Sequence, residues 1–225
     1  MSKKNDIIIF LGPPGAGKGS ISKLCLDRFD WIQLSTGALC REHISKKTDI
    51  GKKIDFTIKS GKLIPDDLID SIVEEWLIDN SGLGRTIILD GYPRTLAQAK
   101  FIVKLLDTKL RSYQLKIINL IISPDVVASR LANRIVCRNN NCQAVYSISD
   151  SAHTPQNSDK CDFCGDILIK RSDDDALAVK QRLLVYCQHE KELFDFFSKN
   201  YEILELNTER PFDQVFSDFR KLVNI

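Results

Sequence analysis

The stretch Ile7-Ile8-Ile9-Phe10-Leu11-Gly12-Pro13-Pro14-Gly15-Ala16-Gly17-Lys18-Gly19-Ser20 decides the fold. Its first five residues are apolar, as in a strand that is buried on both faces, and apolar residues at helical spacing begin after Lys18. Between strand and helix, the glycines let backbone N–H groups turn inward, the helix N-terminus adds its positive end, and Lys18 adds a mobile charge. This order predicts a phosphate-binding loop of the P-loop type. The hydroxyl that usually follows the lysine comes one place later, at Ser20, which is typical of one branch of this motif.

The composition is that of a globular chain. Its 225 residues are 43% hydrophobic, which suits one large domain with smaller insertions. The net charge of +2, from 32 basic and 30 acidic residues, is too balanced for a protein that lives on nucleic acid or anionic lipid. The N-terminus lacks the apolar length of a secretory signal, and no apolar stretch approaches the roughly 18 residues that span a bilayer. We therefore expect a cytoplasmic protein, in which metal binding or burial explains seven cysteines better than disulfides do.

Strand and helix patterns alternate along the chain and predict a doubly wound, five-stranded parallel α/β sheet with its ligands at the carboxyl ends of the strands. The predicted strands are 7–11, 31–34, 86–90, 115–122 and 201–206. The first predicted helix follows the P-loop, the second covers 66–80, and the third runs from a Thr95 cap to 106. The fourth runs from a Ser123 cap to Arg134, the fifth covers 176–199, and the last begins at Pro211. Residues 1–34, 65–132 and 175–225 form the predicted core domain, residues 35–64 a helical flap, and residues 133–174 a compact, loop-rich insertion.

Charged residues cluster at the predicted strand ends. Asp90 ends the third strand, where a carboxylate can hold Mg²⁺ directly or through water, with helix capping as the alternative. Arg130 and Arg134 lie four residues apart, which predicts one face of one helix. The arginines that we single out are Arg41, Arg94, Arg130, Arg134, Arg171 and Arg182. Each alone could be a solvated surface residue, but together they predict a clamp on phosphate oxygens.

Four cysteines punctuate the second insertion with the spacing Cys137-x4-Cys142-x18-Cys161-x2-Cys164. Two close pairs joined by a loop of this size meet the tetrahedral requirement of a structural Zn²⁺ site, and reduced, metal-free thiols are the alternative. His153 is a less favoured substitute ligand within the loop. The remaining three, Cys25, Cys40 and Cys187, fall on helical patterns and are predicted to be buried. The histidines show no triad spacing, so nucleophilic catalysis has no support.

Together these motifs resemble the long-lid type of adenylate kinase over essentially the whole chain. The resemblance implies that the ATP site comprises Gly15, Ala16, Gly17, Lys18, Gly19, Ser20, Arg130, Arg134, Val145, Tyr146 and Arg210. It implies that the AMP site comprises Thr36, Arg41, Lys62, Leu63, Ile64, Gly91, Tyr92, Pro93, Arg94, Gln98, Arg171 and Arg182. The residues implied in phosphoryl transfer are Lys18, Arg94, Arg130, Arg134, Arg171 and Arg182, and Ser20 and Asp90 are implied to hold Mg²⁺ through water. The cysteine-bearing insertion is similar to the zinc-stapled lid of many bacterial members.

The implied activity is reversible phosphoryl transfer from Mg-ATP to AMP, which gives two ADP without a general base, by a monomer with no nucleic-acid or membrane partner. The chain departs from the family pattern at several places. Ala38 replaces an Asp in the flap, Ile135 replaces an arginine in the lid, and Thr208 replaces a glycine just before Arg210. The first cysteine pair carries two extra residues.

Two other readings of the sequence stay open. A GTP:AMP phosphotransferase is the first alternative, because the donor base is read largely by backbone and loop contacts. UMP-CMP and guanylate kinases are less favoured, since the long lid and Gln98 point to an adenine acceptor. From a different class, a noncatalytic P-loop protein could use its zinc knuckle to bind nucleic acid, although the near-zero net charge argues against it.

Overall fold

A five-stranded parallel sheet forms the centre of the computed structural model, which describes residues 5–59, 64–139, 142, 144–148, 154–171 and 174–225. Its strands are β1 (Asn5–Leu11), β2 (Ile32–Ser35), β3 (Ile87–Asp90), β4 (Tyr113–Ile121) and, numbered last along the chain, β8 (Ile203–Asn207). Their order in the sheet is β2-β3-β1-β4-β8, and every pair is parallel. The prediction of a five-stranded parallel α/β fold is therefore confirmed.

Helices connect the strands and cover both faces of the sheet. They are α1 (Lys18–Arg28), α2 (Thr36–Ser45), α3 (Asp49–Lys59), α4 (Asp66–Ser81), α5 (Leu96–Thr108), α6 (Pro124–Ala132), α7 (Ala176–Ser198) and α8 (Phe212–Val223). Thr95 caps α5 as predicted, because its hydroxyl accepts a hydrogen bond from the Gln98 amide at 3.2 Å. Ser123 does not cap α6 through its side chain; instead its own N–H donates to Glu209 Oε1. Within these ranges, no helix is long and apolar enough to cross a membrane.

The alternation along β1 divides the core into two layers. Ile7, Ile9 and Leu11 pack with α4, α5 and α7 on one face, whereas Ile8 and Phe10 pack with α1 and α8 on the other. A strand buried on both faces explains why its sequence is continuously apolar. The sheet is packed on both faces, and the loops that follow β1, β2 and β3 leave it at its carboxyl-terminal edge.

The two helices of the first insertion pack unusually closely. A Cβ added to Gly51 on α3 would lie 2.0 Å from the carbonyl oxygen of His43 on α2. Thr48 fixes the turn between them, since its hydroxyl accepts a hydrogen bond from the Gly51 amide at 2.9 Å and lies 3.1 Å from His43 Nδ1. This contact requires glycine at position 51 and makes α2 and α3 one packed unit.

The second insertion contains structure that the sequence did not predict. Strands β5 (Arg134–Cys137), β6 (Val145–Ser147) and β7 (Leu168–Ile169) form an antiparallel sheet in the order β6-β5-β7. The predicted helix to Arg134 is wrong, because α6 ends at Ala132 and Arg134 opens β5. Arg130 and Arg134 therefore do not share a helix face. The prediction that Cys187 is buried is also wrong, since it is exposed on α7, whereas Cys25 and Cys40 are buried as expected.

Candidate nucleotide-binding cleft

A cleft of about 1990 Å³ opens at the carboxyl ends of β1, β2 and β3. It brings together almost every residue that the sequence predicted for the nucleotide sites. Those lining it are Gly15, Ala16, Gly17, Lys18, Gly19, Ser20, Thr36, Arg41, Ile64, Asp90, Gly91, Tyr92, Pro93, Arg94, Gln98, Arg130, Arg134, Val145, Tyr146, Arg171, Arg182 and Arg210. Lys62 and Leu63 lie outside the described residues.

The phosphate loop has the backbone conformation that the glycines were expected to allow. Gly12, Gly15 and Gly17 have φ angles of 136°, 85° and 100°, which L side chains rarely adopt. Gly15 is also confined by packing, since a Cβ there would lie 3.0 Å from Leu131 Cγ on α6. Lys18 Nζ donates to the carbonyl oxygens of Gly12 at 2.6 Å and Pro13 at 2.8 Å, so it lies folded over its own loop.

Burial changes the acid-base behaviour of Lys18. Loss of solvation lowers the pKa of its ammonium group to about 8. The Asp90 carboxylate opposes this shift, and Arg94 adds to it by repulsion. A multiply charged phosphate in the loop would supply the negative charge that this lysine lacks.

The end of β3 connects the phosphate loop to the flap. Asp90 Oδ2 accepts a hydrogen bond from Gln33 Nε2 at 3.2 Å, and the buried Thr36 hydroxyl donates to the Gly91 carbonyl at 3.1 Å. Gly91 has a φ of 80°, and a Cβ there would lie 2.9 Å from Thr36 Oγ1. Asp90 and Ser20 both line the same cleft.

A network of hydrogen bonds holds the loop after β3. Arg94 Nε donates to the Gly91 carbonyl at 2.8 Å, and the Arg94 amide donates to Gln98 Oε1 at 2.7 Å. Gln98 is only 3% exposed although it lines the cleft. Tyr92 is turned into the core, where its hydroxyl lies 2.6 Å from Asp70 Oδ1, and burial raises its pKa. The Tyr92 side chain thus supports the loop from behind.

A buried carboxylate joins two of the predicted transfer arginines. Asp174, whose side chain is 5% exposed, accepts two hydrogen bonds from Arg134, one of them at 2.7 Å from Nε. Its Oδ1 also lies 3.3 Å from Arg182 Nη1. Bidentate pairing of this kind fixes the plane of a guanidinium group. β5 and α7 are thereby linked at the cleft.

The other arginines are distributed around the same cleft. Arg130 Nη2 donates to the Thr208 carbonyl at 2.6 Å, and Arg41 Nη1 lies 3.2 Å from the point that a Cβ on Gly37 would occupy. Arg210 forms an exposed ion pair with Asp218 at 3.0 Å, which turns its head group toward α8. Arg171 lies between β7 and α7 and lines the cleft.

The four predicted zinc ligands converge in the second insertion. The sulfur atoms of Cys137, Cys142, Cys161 and Cys164 all lie within 4.8 Å of one another. The Cys137–Cys164 and Cys142–Cys161 sulfur distances are 3.3 Å and 3.6 Å, close to the ~3.8 Å edge of a tetrahedron with Zn–S bonds of about 2.3 Å. The donor set and its size therefore fit Zn²⁺.

Burial and hydrogen bonds shift the pKa values of three of these thiols in different directions. Burial raises the pKa of Cys137 and of Cys142, so these two thiols need a positive charge to become thiolates. Burial also acts on Cys161, but hydrogen bonds from the Tyr146 hydroxyl and from backbone amides of the knuckle outweigh it and lower its pKa to about 6.

Tyr146 contacts the cysteine cluster and also lines the cleft. Its hydroxyl is 3.4 Å from Cys161 Sγ and accepts a hydrogen bond from the Asp162 amide at 2.8 Å. Its ring packs near that of Phe163, and Lys23 on α1 lies 5.3 Å from the Phe163 ring centre. The tip of the knuckle thus contacts the helix that follows the phosphate loop. Ile135, which stands where the family pattern has an arginine, is 8% exposed and packs beside Tyr146.

Three residues of the site were not predicted in the roles that the structure gives them. Asp66 at the start of α4 accepts hydrogen bonds from Gln98 and Thr95, Gln33 contacts Asp90, and Asp174 bridges two arginines. An Asp in the first helical turn was the only local signal for Asp66. No local sequence pattern relates Gln33 to Asp90, or Asp174 to its two arginines.

Comparison with known proteins agrees with this geometry. The sequence model of the adenylate kinase family matches residues 10–202. An adenylate kinase of Thermosipho melanesiensis is 35% identical over 216 residues, which cover 96% of this chain and 98% of the relative. An adenylate kinase of Archaeoglobus fulgidus is 36% identical over 96% of this chain and 97% of the relative. An adenylate kinase of Borrelia turicatae is 36% identical over 92% of this chain and 94% of the relative. The phosphate loop, the cleft and these relatives together show that the chain belongs to the adenylate kinase family.

Proposed function

We propose that the chain transfers the γ-phosphoryl group of Mg-ATP reversibly to AMP, which gives two ADP. The observation that carries the proposal is one cleft lined by the phosphate loop, by the Arg94–Gln98 loop, and by arginines from β5 and α7. A second phosphate binder opposite a P-loop is what a two-nucleotide reaction needs. The relatives named adenylate kinase support the same activity.

The donor half is assigned to the phosphate loop. Backbone N–H groups of residues 15–20 and the Lys18 ammonium would hold the β- and γ-phosphates. Mg²⁺ bound with ATP would neutralise phosphate charge, and Ser20 and Asp90 would hold it through water. Val145 and Tyr146 on β6, and Arg210 before α8, are the candidates for contacts with the donor base.

The acceptor half is assigned to the flap and to the loop after β3. Thr36, Arg41, Lys62, Leu63 and Ile64 would line one side of the AMP site. Gly91, Tyr92, Pro93, Arg94 and Gln98 would line the other, with Arg171 and Arg182 reaching from the lid side. Arg94 is exposed, lines the cleft and is anchored through Nε, so its remaining N–H groups would be available to bind an acceptor phosphate.

Transfer itself needs alignment rather than acid-base chemistry. The second phosphate pKa is about 6, so AMP presents an anionic oxygen near neutral pH. This oxygen forms the new bond to the γ-phosphorus while the bond from that phosphorus to the β-γ bridging oxygen breaks, and ADP leaves with its electrons and no proton transfer. Lys18, Arg94, Arg130, Arg134, Arg171 and Arg182 would stabilise the spread negative charge.

Closure of two insertions would exclude water, which would otherwise hydrolyse ATP. We assign residues 1–34, 65–132 and 175–225 to the core, 35–64 to an AMP flap and 133–174 to a lid. The close α2–α3 packing supports a flap that moves as one unit. Zn²⁺ at the four cysteines would staple a lid that has a small apolar core of its own.

The test is direct. Purified protein is mixed with Mg²⁺, AMP and either ATP or GTP, and ADP formation is followed. ADP from ATP plus AMP is the expected result, no ADP refutes the proposal, and a strong preference for GTP identifies a GTP:AMP phosphotransferase instead. Arg94→Met, with Arg111→Met on the surface as its control, separates acceptor-phosphate binding from a general loss of charge.

We also propose that the enzyme acts as a cytoplasmic monomer without nucleic-acid or membrane partners. The near-balanced charge of 32 basic against 30 acidic residues argues against nucleic-acid and membrane partners, and the monomer is inferred from the family resemblance alone. Light scattering during gel filtration would contradict it by giving twice the mass of 25.5 kDa.

A further inference from the structure

The side-chain amide of Gln98 is held from two sides. The Arg94 backbone N–H donates to Gln98 Oε1 at 2.7 Å, and Gln98 Nε2 donates to Asp66 Oδ1 at 2.7 Å. Gln98 is buried, and it is one of the residues that line the cleft. Asp66 itself is not among the residues that line the cleft, so it stands behind Gln98.

These two partners remove the ambiguity of an amide group. A backbone N–H can only donate and a carboxylate accepts, so the oxygen must face Arg94 and the nitrogen must face Asp66. The second carboxylate oxygen is itself fixed, because Thr95 Oγ1 donates to Asp66 Oδ2 at 2.9 Å. One N–H and one lone pair of the Gln98 amide remain for a ligand in the cleft.

The orientation of this pair distinguishes two classes of purine. The Watson–Crick edge of a 6-aminopurine offers a donor at position 6 and an acceptor at position 1, and a 6-oxopurine offers the reverse order. An amide rotated by 180° would accept the second class in place of the first. A partner that prevents this rotation therefore contributes to base selection without touching the base.

We propose that Asp66 is a positioning residue that fixes the Gln98 amide so that the acceptor site selects a 6-aminopurine over a 6-oxopurine. The inference rests on the proposed function, because it takes Gln98 to face the acceptor base. Asp66 opens α4, directly after the flap, and so ties the start of this helix to the start of α5. Loss of Asp66 leaves one of the two constraints, the Arg94 N–H, and we expect a partial loss of selectivity.

The experiment measures equilibrium binding of AMP, IMP and ATP by calorimetry to the wild type, Asp66→Ala and Asp67→Ala. Asp67→Ala is the matched control, because Asp67 is exposed and its substitution removes the same charge from the same helical turn. In Asp66→Ala we expect AMP binding to weaken about tenfold, the value of one fixed hydrogen bond, and the AMP-over-IMP preference to fall by a similar factor. ATP binding and the Asp67→Ala protein should stay within about twofold of the wild type.

Three results would overturn the inference: an unchanged AMP-over-IMP preference in Asp66→Ala, an equal weakening of ATP, or an equal effect of Asp67→Ala. If Asp66→Ala does not fold, Asp66→Ser takes its place, because a hydroxyl can pair with either orientation of the amide and should also lower the preference. The proposed function is tested separately by turnover. A protein that binds AMP in this way but makes no ADP refutes the function alone.

Discussion

We predict that the buried ammonium group of Lys18 makes nucleotide binding depend on pH above neutrality. Its pKa is lowered from 10.5 to about 8, chiefly by burial, so the nucleotide-free loop loses this proton within an accessible range. Phosphates in the loop would bring several negative charges within reach of Nζ and raise the pKa again. Below pH 8, free and bound protein both carry the proton and the affinity is at its plateau. Above pH 8, binding must first take up a proton.

The size of the effect follows from this one titration. At pH 9 a group with a pKa of about 8 is roughly one-tenth protonated, so the affinity for ATP should be roughly tenfold lower than at pH 7. The nucleotide does not titrate in this window, because the last phosphate proton is lost near pH ~6. Calorimetry with a nonhydrolysable ATP analogue between pH 7 and 9.5, in two buffers of different ionisation enthalpy, would give both the affinity and the proton uptake.

Lys18→Arg is the control for this prediction. A guanidinium group keeps its charge up to pH ~12, so any affinity that remains should be flat between pH 7 and 9.5. A flat profile in the wild type, or an equal fall in Lys18→Arg, would refute the assignment of the titration to Lys18.

Three further predictions follow from other contacts. Asp174→Ala removes the carboxylate that Arg134 and Arg182 share, so we expect kcat in the ADP-forming assay to fall by about tenfold or more, and an unchanged kcat contradicts a positioning role. Gly51→Ala places a Cβ 2.0 Å from the His43 carbonyl oxygen and forces α2 and α3 apart. We expect a melting temperature several °C lower than that of the wild type and a higher KM for AMP but not for ATP. A variant whose melting temperature and KM values equal those of the wild type would argue against this close packing. Removal of zinc by a chelator under reducing conditions should lower the melting temperature, whereas substoichiometric zinc in protein purified without chelator would count against the metal site.

The parts of the fold that the sequence predicts well are those with a strong local signal. The phosphate loop has glycines at fixed positions, and β1 is a run of apolar residues that can only be buried on both faces. Thr95 was identifiable as a cap because hydroxyl residues before an apolar helical pattern accept the free N–H groups of the first turn.

The structure of the second insertion is harder to predict from the sequence because its strands are short. β5 has four residues, β6 three and β7 two, so none gives enough alternation to distinguish a strand from a loop. For the same reason, the sequence predicts that α6 continues to Arg134, although the helix ends at Ala132. In the structure, the Asn133 amide still bonds the Ser129 carbonyl, and the chain then leaves the helix and pairs as β5.

The site was predicted as a set of residues but not as a network. Gln98 could be named from a motif, whereas its bond to Asp66 joins residues 32 positions apart and has no local pattern. The same holds for Arg134 and Asp174, which lie 40 positions apart. Pairings of this kind depend on how loops meet at the edge of the sheet, which the spacing of residues along the chain does not encode.

The contact between Lys23 and Phe163 has a consequence for how this family varies. One residue lies on the helix after the phosphate loop and the other between two cysteines of the knuckle, so a change at either site alters the environment of the other. We expect positions 23 and 163 to change together among relatives, with an aromatic residue in the knuckle accompanied by a long cation on α1.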